Sequence, residues 1–204
     1  ARALSPRCPK SDTCWKSPEF DSCFLMLTSS VFGPFDPLKP QTVSGLFSKN
    51  IYATPVHIDA TIETVWKVMT DFDRYPEWNP LNRFFYLDSQ AAPGNWVTFG
   101  PSWGPYDELN SGLLPEPDMT QHEMITVWEE NCGLAYADIR LYLKAERVQY
   151  ISALKGGGTR YHTYERTAGL LSPIVRLMFG RKIIAGFTAN GLALKRRAES
   201  IMLS

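Results

Sequence analysis

What most constrains this chain is an ordered series: strand-like runs joined by turns, closed by one long helical segment. The runs are Arg83 to Leu87, Asn95 to Gly100, Gln121 to Glu130, Leu134 to Leu141, Glu146 to Leu154 and Thr159 to Ala168. Each is short, carries β-branched or aromatic residues, and is bounded by turn formers. Asn131-Cys132-Gly133 and Lys155-Gly156-Gly157-Gly158 carry residue types that accept the backbone angles of a tight turn. The glycine triplet lacks the spacing of a phosphate loop and reads as a hairpin. Ser172-Pro173 then offers an N-cap followed by proline at the first helical position. From there a helix is predicted to about Met202, with an apolar stripe at Leu177, Ile184, Phe187, Gly191, Leu194, Ala198 and Ile201. Successive strands linked this way pair antiparallel, and one long helix must cover their apolar face. The fold class is therefore α+β.

Upstream, Ile51 to Ile58 reads as a first strand ended by Asp59. Ile62, Val65, Trp66 and Met69 follow at helical spacing, with Asp59 or Thr61 as the cap. A second short helix is predicted over Asp71 to Glu77, capped by Asp71 and closed by Pro80. Residues 1–48 differ: prolines recur, three of the cysteines crowd together, and no period is sustained. They read as an N-terminal extension packing on a domain of residues 49–204, with one short helix around Asp21 to Ser29. Between Pro101 and Thr120 a loop rich in Gly and Pro carries Trp103, Tyr106 and Leu114, the composition expected of a lid.

Lys plus Arg and Asp plus Glu are equal at 21, so the net charge is zero and nothing electrostatic points to nucleic acid. No run approaches the roughly 20 apolar residues of a membrane span. Four cysteines, Cys8, Cys14, Cys23 and Cys132, in a chain beginning at Ala1 favour a secreted or lumenal, disulfide-bonded protein over a cytoplasmic one with free thiols. His57, His122 and His162 lie far apart without ligand spacing, so no metal is expected. Hydrolase elbow, Walker loop and dinucleotide fingerprint are absent, and no cofactor is implied.

Three segments carry a resemblance: "IDATIETVWKVMTDFDRYPEWNP" from Ile58, "GGGTRYHTYERTAGLLSP" from Gly156 and "GFTANGLALKRRAES" from Gly186. In this order they are similar to the START-like, helix-grip (SRPBCC) superfamily, in its polyketide cyclase/dehydrase-like branch. The resemblance implies a curved seven-stranded antiparallel sheet around a long C-terminal helix, with two short helices after the first strand. It also implies an internal cavity for lipids, sterols, polyketides or aromatic metabolites.

Alternation in the last strand puts Thr159, Tyr161, Thr163, Glu165 and Thr167 on one face. Arg160 and Arg166, as charged residues, assign the other face to water, so Glu165 faces the cavity. Burial there raises a carboxyl towards a useful acid/base range. Its structural alternative is a carboxylate paired with an arginine. Tyr161 and His122 are the other catalytic candidates, His122 by sharing a strand face with Met124, Thr126 and Trp128. Thr163, Trp78, Asn79, Trp103, Tyr106, Trp128, Phe187 and Gly191 are candidates for the cavity wall, although Asn79 before Pro80 also suits a turn. Gly180, Gly186 and Gly191 leave room for a ligand or permit close helix packing.

The expected function is a cofactor-independent cyclase, dehydratase or isomerase acting on a polyketide-like or aromatic substrate. A non-catalytic carrier of a lipid, sterol or pigment is the alternative. The partner is a small hydrophobic molecule, the protein a monomer or homodimer, and the pocket at least ~300 Å³.

Overall fold

The computed structural model describes residues 47–104, 106, 114 and 116–202. The cysteine cluster, the helix expected around Asp21 and residues 105, 107–113 and 115 of the expected lid lie outside the described residues. Cys132 is disulfide-bonded, and the other three cysteines lie outside them too.

In chain order the elements are β1 (Ser48–Tyr52), β2 (Val56–Ile58), α1 (Ile62–Thr70), a 3-10 turn (Phe72–Arg74), α2 (Tyr75–Trp78), β3 (Asn82–Leu87), β4 (Trp96–Pro101), β5 (Gln121–Glu129), β6 (Gly133–Ile139), β7 (Lys144–Ala153), β8 (Thr159–Ala168) and α3 (Ser172–Met202). The predicted first strand is thus broken in two. Pro55 has no N–H to donate, and β1 and β2 each pair separately with β8. Among the described residues this makes eight strands where seven were expected, in the order β1-β8-β7-β6-β5-β4-β3 with β2 also on β8. All pairings are antiparallel.

Thr61, not Asp59, caps α1: its side chain accepts the Thr64 N–H at 3.2 Å. The predicted second helix is a 3-10 turn running into α2, and the Asp71 side chain makes no cap there. Helix α3 lies across the concave face, where Phe187, Leu194 and Ala198 are buried against the sheet. Its phase departs from the predicted stripe: Ile183 and Asn190 turn inward, while Leu177, Ile184 and Ile201 are exposed. Gly191 is there for close packing rather than for ligand room. A Cβ at that position would stand 3.0 Å from Val56 Cγ2 and 3.3 Å from the Tyr161 ring. Gly186 is similarly crowded by Leu81 and by the Tyr106 hydroxyl, whereas nothing approaches Gly180.

The opposite face of the sheet is not simply solvated. Val127, Ala135, Val148 and Tyr164 form a buried cluster on it. Arg166, expected in water, is buried beside them and donates to Glu146 at 2.6 Å. Glu165 faces the cavity as expected, although of the two arginines on the opposite face only Arg160 is exposed.

Candidate functional site

Between the sheet and α3 lies a cavity of about 230 Å³. Its wall is largely apolar, with Leu81, Phe99, Trp103, Ile183 and Phe187, and polar groups enter it at Glu123, Tyr136, Arg147 and Glu165. It is smaller than expected because large side chains, Arg147 and Tyr136 among them, occupy the space that the sheet's curvature opens.

Arg147 organises the site. It projects from β7 and is only 5% exposed. Its Nη2 donates to Asn190 Oδ1 at 2.8 Å, its Nη1 to the Tyr136 hydroxyl at 3.2 Å, and its Nε to Thr163 Oγ1 at 3.5 Å. The guanidinium carbon sits 4.4 Å from the centre of the Phe187 ring, a cation–π contact. No carboxylate lies within ion-pair distance of it among the described residues. Burial works against its charge, but the surrounding tyrosines Tyr136, Tyr161 and Tyr75 outweigh that, so the cation is kept.

Tyr136 Oη accepts from Arg147 and also from Asn82 Nδ2 at 3.2 Å. Burial pushes its own ionisation up to about 12, so its O–H remains a donor. Asn190 Oδ1 also accepts from the Tyr161 hydroxyl at 3.3 Å, and Gln149 Oε1 accepts from the same hydroxyl at 2.8 Å. The cation is thus fixed by neutral partners rather than neutralised. That leaves a positive charge beside an apolar chamber, where electrostatic interactions are strong.

Glu165 lies directly opposite Arg147 in the β7–β8 register and lines the cavity. Burial pushes its carboxyl up to about 8, with Arg147 pulling the other way and Glu146 adding to the rise. Its residual exposure is to the chamber itself, so the dense surroundings govern its protonation. Glu123, at 8% exposure, enters the same chamber from β5. Burial and then the nearby Glu165 raise it well above the ordinary carboxyl value. Neither carboxyl has a hydrogen-bond partner among the described residues. Two protonated acids and a fixed cation can donate to, and then stabilise, an oxygen that gains negative charge. No cluster of three or more His, Cys, Asp or Glu among the described residues is placed to hold a metal ion.

No family model and no curated protein sequence matches the chain. Solved structures do. A START superfamily protein from Mycobacterium smegmatis matches at TM-score 0.55 and 17% identity, over 76% of this chain and 99% of that one. The Zhui aromatase/cyclase from Streptomyces sp. R1128 matches at TM-score 0.58 and 13% identity, over 76% and 96%. The di-domain aromatase/cyclase StfQ of the steffimycin biosynthetic pathway matches at 0.57 and 11%, over 78% of this chain and 53% of that longer one. The fold is the START-like helix grip.

Within the helix grip, the predicted site residues divide. Glu165, Trp103 and Phe187 line the cavity. Tyr161 and Thr163 are buried beside it, in the network that holds Arg147 and Asn190. Tyr106 lies over the outer side of α3 and donates its hydroxyl to the Ser102 carbonyl. Others are not brought to the chamber. His122 points out of the sheet, stacked on Trp96 at 4.7 Å and bonded to Asp88 at 2.7 Å. The β5 pleat turns its neighbour Glu123 inward instead. Trp128 packs edge-on against Trp66 at 5.6 Å, and Trp78 against Tyr75 at 5.2 Å, both as core. Asn79 closes a turn: its Oδ1 accepts the N–H groups of Leu81 and Asn82 at 3.0 and 2.9 Å.

Arg147, Glu123 and Tyr136 were not singled out from the sequence. Strand parity was the only signal for them. It is weak in β7, where Val148 and Tyr150 on the other face look like the core side.

Proposed function

We propose that the protein takes a small hydrophobic molecule bearing a carbonyl or enol oxygen into this cavity and transforms it by proton transfer. The reaction class is cyclisation, dehydration or isomerisation of a polyketide-like or aromatic substrate. The observation that carries this reading is Glu165, a carboxyl raised to about 8 that faces an apolar chamber across from an unneutralised guanidinium. In its acid form Glu165 gives a proton to the substrate carbonyl or to a departing hydroxyl. Arg147 and the Tyr136 O–H stabilise the oxyanion or enolate that develops. The Glu165 carboxylate formed by that transfer then takes a proton from the activated carbon, so Glu165 is returned to its acid form and protons balance without an external oxidant or reductant. Two structural neighbours bear the name aromatase/cyclase, which supports the same chemistry here.

The test is Glu165→Gln, which keeps the shape and removes the titratable group. Against a panel of aromatic ketones and poly-β-carbonyl compounds, turnover by the wild type should fall at least ~100-fold in the variant, while ligand affinity barely moves. An unchanged rate would clear Glu165 of proton transfer. Binding without turnover across the panel would identify a carrier instead.

A further inference from the structure

The apolar side chains that α3 leaves in water are not scattered. Leu177 is 89% exposed, Met178 63% and Ile174 52%, all in the first two turns of α3. The turn between β6 and β7 adds Leu141 at 84% and Tyr142 at 56%, and the turn before α3 adds Leu170 at 60%. These two turns form one surface. The Leu171 N–H donates to the Tyr142 carbonyl at 3.1 Å. Gly169, at φ +109°, presses so close that a Cβ would stand 2.5 Å from that carbonyl oxygen. Isolated exposed leucines are ordinary, but several joined in one patch mark an interaction surface.

The charge around the patch is one-sided. Across residues 139–144 and 169–185 the charged side chains are Arg140, Lys144, Arg176, Arg181 and Lys182, with no Asp or Glu. This stands in a chain whose overall charge is zero. Asp138, just outside, pairs with Arg140 at 2.7 Å. Nη1 of Arg176 is buried and has no hydrogen-bond partner among the described residues. The patch also borders the cavity: Leu143, Val175 and Phe179 line the chamber, while Leu177 and Met178 on neighbouring helix positions face out.

We propose that this patch docks the protein on an anionic lipid surface, with Leu141, Leu177 and Met178 inserted among the acyl chains and Arg181 and Lys182 on the headgroups. Aliphatic tips ringed by cations and free of acids match an acidic bilayer interface in both polarity and charge. No described helix is long and apolar enough to cross a membrane. Docking there would bring the cavity's edge to the phase in which hydrophobic molecules are dissolved, whatever chemistry follows inside.

Co-sedimentation of the full chain with lipid vesicles tests this without reference to turnover. Binding is expected to phosphatidylcholine vesicles containing about 30% phosphatidylglycerol, much less to phosphatidylcholine alone, and to weaken as salt is raised. Leu177→Asp, and separately Arg181→Glu with Lys182→Glu, should each lower the partition coefficient at least ~10-fold. Because these side chains lie outside the core, circular dichroism and Tm should match the wild type, and Thr188→Ser serves as a folded control that binds normally. Absence of binding to acidic vesicles, or binding that none of these changes weakens, would overturn the proposal. So would a dimer in sedimentation velocity that Leu177→Asp dissolves, since the patch would then be covered by a second copy.

Discussion

Glu165 keeps its proton at neutral pH because the unfolded chain, not the folded one, offers its carboxylate water. That has a consequence for stability with a definite sign. The folded value of about 8 lies above the ordinary 4.5. Between those limits the folded state binds more protons than the unfolded one, so stability falls as pH rises through the window and is fully retained below it. Glu165→Gln removes one such group. Its Tm should therefore decline less than the wild type's between about pH 5 and pH 8, although Glu123 and Glu146, also raised, preserve part of the slope. Parallel melting curves across that range would show that Glu165 ionises normally. The inward face of Glu165 was legible from two-residue alternation, since Tyr161, Thr163 and Thr167 share it and are buried. Arg147 was not, because a long cation reads as a surface residue until Tyr136, Asn190 and Phe187 are seen to surround it.

At the scale of elements, turn chemistry and periodicity placed nearly every strand within a residue or two, and β8 at its observed bounds. Two effects escaped them. Pro55 splits the first strand, because a proline inside an alternating run removes a ladder donor. The N-terminal half of α3 runs out of phase with its C-terminal half, so Leu177 and Ile184 fall outside while Val175 and Phe179 reach the cavity. A single stripe fitted over the whole helix averages over that drift. The β7–β8 pair carries a further test. Arg166 and Glu146 are 5% and 3% exposed by side chain, and Thr126 also donates to Glu146 at 2.7 Å. Removing one partner strands a buried charge. Arg166→Leu should cost about 3–5 kcal/mol in urea unfolding, and adding Glu146→Leu should recover much of it. A loss within ~0.5 kcal/mol for the single change would mean that the pair is solvated.

At the scale of the whole molecule, the architecture follows from one demand: an antiparallel sheet and one long helix have to bury their apolar faces on each other. That much could be read from element order. The size of the chamber could not, since it depends on which side chains fill the curvature. Volume alone is uninformative about chemistry, but the combination of an apolar wall, two carboxyls without a hydrogen-bond partner among the described residues and a charged guanidinium calls for a ligand that is mostly hydrocarbon with an oxygen at one end. Ala145 lines the chamber beside Arg147 and has space in front of it. The most direct measurement is native mass spectrometry of the freshly purified full chain beside Ala145→Trp, whose indole would occupy the cavity. The wild type should carry a non-covalent small hydrophobic adduct, or acquire one from an aromatic ketone such as 2-acetylnaphthalene, and the variant should carry none. Bare masses for both proteins even with the ketone in excess, or an adduct that persists in Ala145→Trp, would contradict a ligand-binding cavity at this place.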